Sequence, residues 1–193
     1  MIKVNTEKFE WISQGDIFKE VDYIEYSEEK EGVITISKIR FPLIIVLSQD
    51  CDLRHDFKFR TSTEVGSQDK RLLSVLVAPL YNVEHVYIGE QLSELDIMME
   101  PINKNKTPGK YLRENLQPRY HYLEFPPEIP IVSSVIDFKH YFSVNVDYLR
   151  ELKKTNFVCK VSELYREQVS HRFASFLSRI GLPELAGALK LDA

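Results

Sequence analysis

Cysteine, glycine and long apolar runs are all scarce in this chain of 193 residues. The two cysteines, Cys51 and Cys159, are too few for a disulfide framework, and we expect reduced thiols in a cytoplasmic protein. The longest apolar run, residues 41–47, is too short to cross a bilayer, and no apolar signal region is present, so we expect no membrane contact. Walker-type, GxGxxG, GxSxG and HExxH patterns are also missing, which argues against nucleotide hydrolysis, dinucleotide redox chemistry, α/β-hydrolase chemistry and zincin proteolysis.

Charge is distributed unevenly along the chain. A net charge of -4 excludes a strongly basic nucleic-acid binder as a whole. Residues 1–31 are rich in Asp and Glu, whereas residues 104–122 carry mostly bases. Because attraction to phosphate is local and screened over about 10 Å, a polyanion would prefer the second region.

Short apolar segments predict a mainly β fold. Residues 33–39 alternate as in a half-buried strand, and residues 41–47 and 72–80 are continuously apolar as in central strands. Residues 17–26, 120–125 and 129–138 complete the predicted strands. The polar residues 50–70 indicate a long loop, residues 93–99 a short helix, and residues 141–148 either a strand or a turn into a helix.

The clearest helix is predicted over residues 162–180. Its apolar face is formed by Val169, Phe173, Phe176, Leu177 and Ile180, and Gly181 followed by Leu182-Pro183 is a stop signal. Many short strands followed by one helix indicate a small antiparallel barrel or bent sheet with helical additions. We expect residues 1–160 to form the barrel domain with insertions, and residues 161–193 to pack on it within one globular unit.

Three segments, taken in order, carry a family resemblance. They are Gly15-Asp16-Ile17, the strand from Arg40 to Ser48 (RFPLIIVLS), and Val75 to Leu80 (VLVAPL), with a Val-Ile-Asp segment at residues 135–137. In this order they resemble the MazF/PemK toxin family. The resemblance implies an SH3-like antiparallel barrel, to which this chain adds insertions and a C-terminal amphipathic helix.

Members of that family are typically metal-independent endoribonucleases that cleave single-stranded RNA, and they are commonly dimers. The resemblance matches their catalytic arginine to Arg40. It places their Ser or Thr at Tyr81 or Asn82, neither of which is Ser or Thr. It implies no metal and no other cofactor, and it suggests a bacterial toxin–antitoxin or phage-defence system.

The segment from Ser48 to Asp56 is the most suggestive for chemistry, because a polar loop after a buried strand can hold side chains rigidly. Cys51 could act as a nucleophile with His55 as its base. Alternatively, Asp50 and His55 could move protons while Arg54 steadies a phosphate. A polar turn with Cys51 as a small apolar residue is equally open. Without paired cysteines we expect no metal site.

The basic segment interleaves cations with Tyr111, Tyr120 and Tyr122, a composition typical of single-stranded nucleic-acid binding. The alternative is a solvated loop whose aromatic side chains return to the core. The candidate RNA-binding residues are Lys104, Lys106, Lys110, Arg113, Arg119 and Tyr120.

Two functions from different classes remain after this reasoning. The first is a barrel that binds single-stranded RNA, with cleavage left open. The second is a non-catalytic subunit that binds a protein encoded in the same operon, suggested by the net acidity and the added helix. A Cys51-dependent hydrolase or small-ligand sensor is a third. The candidate catalytic residues are Arg40, Ser48, Asp50, Cys51, His55 and Asn82.

Overall fold

The computed structural model describes residues 1–62, 68–107 and 109–179. Within them, eight strands form a curled antiparallel sheet, a half-barrel, with four α-helices packed around it, and the prediction of a mainly β fold with α additions is confirmed. No helix among these residues has the length and apolar character that a membrane crossing requires. The strands are β1 Val4–Asn5, β2 Asp16–Lys30, β3 Val33–Val46, β4 Ser74–Asn82, β5 Tyr120–Leu123, β6 Ser134–Asp137, β7 Phe142–Asn145 and β8 Phe157–Val161. The helices are α1 Asp50–Thr61, α2 Val83–Ile88, α3 Val146–Asn156 and α4 Glu163–Leu177.

The sheet runs in the order β1-β8-β2-β3-β4-β6-β5, and β7 pairs with β4 outside this path. The two ends of the order meet, because the Ile2 amide donates to the Glu124 carbonyl at 2.7 Å. Ile2 precedes β1 and Glu124 follows β5. This hydrogen bond joins the two edges of the half-barrel, so neither edge strand is open along its whole length.

A long hairpin of β2 and β3 dominates the sheet. Its strands are joined by Glu31 and Gly32, which have φ of 53° and 78°. Positive φ at both central residues is typical of the two-residue turns that match the right-handed twist of a hairpin. The two separate strands predicted over residues 33–39 and 41–47 are one strand, because Arg40 lies on an exposed face and pairs there with Asp22 without interrupting the ladder.

Apolar side chains fill both faces of the sheet. One cluster, which includes Ile17, Ile45 and Phe138, lies under α4. A second cluster on the opposite face includes Phe18, Ile44 and residues of α1 and α3. A third lies between α2 and the strands β4, β5 and β6. These three clusters explain why residues 43–47 and 75–80 are apolar without alternation, since both faces of their strands are covered there.

The loop predicted over residues 50–70 is wrong in its first half, which forms α1. The helix buries Leu53 and Asp56 on one side, and most of its other polar residues are exposed. The sequence pattern concealed this helix because one of the buried positions is a carboxylate rather than an apolar residue. Residues 141–148 combine both predicted alternatives, since β7 leads into α3. Of residues 129–138 only β6 is a strand, and residues 93–99 contain a single turn of 3-10 helix at Ser93–Leu95.

Helix α4 confirms the C-terminal helix predicted from its apolar spacing. Val169 and Phe173 are buried as expected, whereas Leu177 is half-exposed. Ser162 occupies the N-cap position but its side chain makes no capping hydrogen bond. Ile180 and the stop signal at Gly181–Pro183 lie outside the described residues.

Gly15 forms a tight turn immediately before β2. Its φ is +80°, its amide donates to the Val46 carbonyl at 2.9 Å, and its carbonyl accepts from the Val161 amide at 2.9 Å. A Cβ atom on Gly15 would lie 3.3 Å from the Val161 Cβ and 3.5 Å from the Arg166 Cγ. The backbone is therefore fixed on two sides at a position where only glycine fits without strain.

We predict that Gly15→Ala lowers the free energy of unfolding more than Gly32→Ala does. Both residues have positive φ, which costs a non-glycine residue about 1–2 kcal/mol, but only Gly15 has neighbours within contact distance of a new Cβ. Urea unfolding followed by circular dichroism measures the difference. Equal destabilisation by the two variants would show that the contacts with Val161 and Arg166 are unimportant.

Candidate functional site

The polar segment after β3 turns directly into helix α1. Ser48 is held in this turn because its Oγ accepts a hydrogen bond from the Leu76 amide at 2.8 Å. Asp50 is the first residue of the helix and Cys51, beside it, is exposed. Three of the predicted catalytic residues are thus adjacent in space as well as in sequence.

His55 lies one helical turn after Cys51 and is exposed. The Cys51 Sγ contacts Gln49 Oε1 and Asp52 Oδ1, each at 3.6 Å. In the described part of the chain no hydrogen bond joins the thiol to His55. The contacts therefore give no support to the nucleophile–base pairing considered from the sequence.

The carboxylate of Asp50 lies among three cations. Its Oδ2 accepts from Arg54 Nη2 at 3.1 Å, and its Oδ1 accepts from the Gln14 backbone amide at 3.3 Å. Oδ1 also lies 3.4 Å from Arg166 Nη1 and 4.0 Å from Lys160 Nζ. The side chains of Asp50, Lys160 and Arg166 are only 15%, 15% and 10% exposed. We call Gln14, Asp50, Lys160 and Arg166 the Asp50 pocket.

A buried ion pair lies two residues beyond Gln14. Asp16 Oδ2 is 2.6 Å from Lys153 Nζ, and it also accepts from the Ser13 amide at 2.8 Å. The same ammonium group donates to the Trp11 carbonyl. Burial raises the pKa of Asp16 and lowers the pKa of Lys153, and the attraction between them opposes both shifts. The pair fastens the segment before β2 to α3.

A groove of about 410 Å³ opens between residues 8–10, which precede β2, and the helices α1 and α3. Phe9 stacks on Trp11 with ring centroids 4.9 Å apart, and Trp11 lies 6.0 Å from Phe57. The Arg150 guanidinium lies 5.5 Å from the centre of the Phe57 ring. We call this the aromatic groove; it is lined by Lys8, Phe9, Glu10, Phe57, Arg150, Glu151, Lys153 and Lys154.

The buried Asp56 carboxylate holds one wall of the aromatic groove. It accepts from Arg60 Nε at 2.8 Å, from Arg150 Nη2 at 3.1 Å and from the Leu72 amide at 2.8 Å. Arg60 also donates to Asp147 at 2.8 Å. These bonds join α1 to α3, so Phe57 and Arg150 hold fixed positions in the groove.

A third buried carboxylate, Asp137, connects β6 with its neighbours. It accepts from Arg119 Nε at 2.8 Å and from the Lys139 amide at 3.0 Å. His140 Nδ1 lies 3.5 Å from Asp137 and 3.0 Å from the Tyr81 hydroxyl. Burial lowers the pKa of His140 despite the nearby carboxylate, and burial raises the pKa of Tyr81. The imidazole is therefore neutral at pH 7.

The cations of the basic segment are largely engaged within the protein. Glu84 on α2 pairs with Lys104 and with Arg113, the latter at 3.3 Å. Lys104 also lies over the Tyr87 ring at 4.9 Å. Arg113 lies over the Tyr122 ring at 5.8 Å. The segment therefore presents less free positive charge than its composition indicates.

The remaining predicted RNA-binding residues are only partly engaged within the protein. Arg119 pairs with Asp137 and lies 4.9 Å from the Tyr120 ring, which is buried. Lys110 lies over the Tyr111 ring, and Lys106 is exposed. Lys106 and Lys110 lie together, because the Lys110 amide donates to the Lys106 carbonyl at 3.1 Å, and Lys104 and Arg113 share Glu84.

Arg40 and Asn82 have structural partners on other elements. Arg40 Nε donates to Asp22 at 2.7 Å on the exposed hairpin, which holds the pKa of Asp22 down at about 2. Asn82 caps α2 by accepting from the Glu84 amide at 2.9 Å. Neither residue contacts Asp50, so the predicted catalytic set divides into separate places.

Cys159 is buried in β8, and burial raises the pKa of its thiol to about 12. Across residues 1–62, 68–107 and 109–179, no group of three or more His, Cys, Asp or Glu side chains is placed to hold a metal ion. No family model matches this chain, and no curated protein is significantly similar to it. The curled sheet is compatible with a barrel fold, and MazF/PemK membership stays a prediction.

Lys160 and Arg166 were not predicted as site residues, although the position of Arg166 in the sequence indicates a buried cation. Arg166 precedes Val169 and Phe173 by three and seven residues, which places it on the apolar face of α4. An arginine at such a position is buried and needs an anionic or carbonyl partner. Lys160 lies between two buried residues of a strand and carries no comparable signal.

His121 is enclosed between β5 and α4. Its Nδ1 has no hydrogen-bond partner among the described residues, and the positive charge of Arg172 lies nearby. Arg172 donates to the Gln117 and Tyr120 carbonyls at 2.6 and 2.7 Å. Burial, reinforced by this charge, lowers the pKa of His121 to about 3.

We predict that His121 makes the protein less stable in acid. In the unfolded chain the imidazole binds a proton near pH 6.5, whereas in the folded protein its pKa is about 3. Its contribution to stability is therefore complete above pH 6.5 and is lost as the pH falls towards 3. The free energy of unfolding should fall less between pH 7 and pH 4 in His121→Leu than in the wild type. The control is His85→Leu at an exposed histidine. If the free energy of unfolding falls equally between pH 7 and pH 4 in all three proteins, the prediction is wrong.

Proposed function

We propose that this protein binds single-stranded RNA along the aromatic groove. The carrying observation is that phenylalanine rings and cations line the same cleft, four cations against two acids. Base stacking on aromatic rings and phosphate attraction to cations are the two forces that bind single strands without sequence preference. The ligand class comes from the resemblance to ribonuclease toxins, and the proposed contact surface moves from residues 104–122 to the groove.

The individual residues of the groove fit these two forces, base stacking and phosphate attraction. Phe9 is partly exposed and backed by Trp11, which gives a supported ring on which a base can stack. Lys8 and Lys154 lie at the exposed rim, where phosphates would pass; Lys154 pairs with Glu151 at 2.6 Å, and the Lys8 ammonium donates to the Lys154 carbonyl. Lys153, bonded to Asp16, contributes its buried stem to the groove rather than a free charge.

Fluorescence anisotropy with a labelled RNA of mixed sequence, measured at several salt concentrations, tests this proposal. Phe9→Ala should weaken binding at least about five-fold by removing a stacking surface, with the salt dependence unchanged. Lys8→Ala should weaken binding and reduce the slope of log K against log salt by about 0.7, the value for one phosphate contact. A denaturing gel of the same RNA after incubation tests cleavage.

Lys106→Ala is the matched control, because Lys106 is an exposed cation of the basic segment. It should bind RNA as the wild type does. If Lys106→Ala weakens binding and Lys8→Ala does not, the basic segment is the RNA surface. If the wild type shows no salt-dependent binding, the proposal is wrong.

Self-association through the β2–β3 hairpin is a second candidate function. On one face of its outer half, Ile24, Ile34 and Ile36 are 51%, 66% and 57% exposed. Glu29 lies beside Ile34 near the turn, and Lys38 lies beside Ile24 nearer the body. Two copies packed antiparallel through this face would place each Glu29 near the other copy's Lys38, and a two-fold interface requires such self-complementarity.

Light scattering coupled to size exclusion tests this association. We expect the wild type to be a dimer and Ile36→Lys to be a monomer, because a charge would be buried at the centre of the contact. Val33→Lys is the control, since Val33 is 65% exposed on the opposite face. A monomeric wild type, or a Val33→Lys variant that dissociates equally, would overturn this candidate.

A further inference from the structure

We propose that the Asp50 pocket binds a phosphate-type oxyanion, through the Lys160 ammonium and the Arg166 guanidinium. Both side chains are largely buried, yet in the described part of the chain neither makes a hydrogen bond. The Arg166 Nε is fully enclosed without a partner. This inference does not depend on RNA binding in the aromatic groove.

Two other largely buried arginines, Arg172 and Arg60, make the hydrogen bonds that the Arg166 side chain lacks. The Arg172 Nε also has no partner, but the amino groups of Arg172 donate to three backbone carbonyls, and Arg60 donates to Asp56, Asp147 and the Leu72 carbonyl. A buried cation that has ion pairs but no hydrogen bonds recovers only part of the hydration that it loses. The Lys160 ammonium and the two amino groups of the Arg166 guanidinium therefore have hydrogen-bonding capacity left for a ligand that brings oxygen atoms.

Asp50 does not satisfy these two cations. Its Oδ1 lies within ion-pair distance of both, at 3.4 and 4.0 Å, but its hydrogen bonds are with Gln14 and Arg54. The next acid, Glu163, lies 3.8 Å from Arg166 Nη2 and its side chain is 84% exposed. Asp16 is engaged by Lys153. Three cations thus face one enclosed carboxylate and one carboxylate at the rim, which leaves an excess of positive charge.

The donor set indicates the class of ligand. A guanidinium is a planar fork that binds two oxygens of one oxyanion, and an ammonium adds a point charge with three donors. Together they match phosphate, which accepts at several oxygens and carries close to two charges. The source of the phosphate group could be a free ion or the terminal phosphate of an RNA strand, and the experiment separates these two.

Isothermal titration of the full chain with inorganic phosphate, in a chloride buffer of matched ionic strength, tests the site. We expect saturable binding to the wild type and at least ten-fold weaker binding to Lys160→Gln and to Arg166→Gln. Arg54→Gln is the matched control, because Arg54 pairs with the same carboxylate but is half exposed, and it should change the affinity less than three-fold. Circular dichroism measured without phosphate shows which variants are folded. If Arg166→Gln is not folded, the two Lys160 variants decide the question: Lys160→Gln should lose phosphate binding, whereas Lys160→Arg, which keeps the charge, should still bind.

Competition separates the sources and the two proposals. If a strand with a 5′-phosphate displaces inorganic phosphate and the same strand with a 5′-hydroxyl does not, a terminal phosphate is the ligand; if neither does, it is the free ion. Lys8→Ala, in the aromatic groove, should leave phosphate affinity unchanged even if it abolishes RNA binding. A wild type that binds phosphate no better than chloride, or pocket variants that bind it as well as the wild type, would overturn the inference.

Discussion

Asp16 and Lys153 meet in the interior with 2.6 Å between their charged atoms, and several elements are joined at this point. The carboxylate begins β2 and the ammonium lies on α3, while the Ser13 amide and the Trp11 carbonyl bind the same pair. Removing one member would leave the other charged and buried, which is far more costly than the pair itself is stabilising. Lys153 also lines the aromatic groove, and Gln14 of the Asp50 pocket is two residues from Asp16, so the geometry of both places depends on this pair.

Buried acids organise the rest of the polar interior in the same manner. Asp56 gathers Arg60 and Arg150, and Asp137 gathers Arg119 and His140. Each carboxylate joins segments that are distant in sequence and accepts at least one hydrogen bond from an arginine. Lys160 and Arg166 stand outside this arrangement, and that contrast, rather than the presence of positive charge, singles out their pocket.

Much of the fold could be predicted from periodicity, and much of the site could not. Apolar runs such as residues 41–47 predict buried strands because burial on both faces leaves a direct compositional signal. Helix α1 escaped prediction because it buries Asp56, whose environment depends on arginines four and 94 residues away. The polar segment with Ser48, Asp50 and Cys51 is visible in the sequence after a buried strand, but Asp50 and Cys51 belong to helix α1 rather than to a loop. Their partners on β8 and α4 were not visible, because no local pattern links Asp50 to Lys160 across the sheet.

Helix α4 carries Arg166 near its start and Arg172 six residues later, about 9 Å along the axis. Arg172 binds the carbonyls of Asn115, Gln117 and Tyr120, and Phe173 packs in the core, so the helix cannot turn about its axis without breaking these contacts. The stem of Arg166 is in turn confined by the turn at Gly15. The guanidinium therefore reaches its bound orientation during folding rather than on encounter with an anion. Such preorganisation lowers the entropic cost of binding, so a pocket with only two cations can bind more tightly than two lysines on a mobile surface.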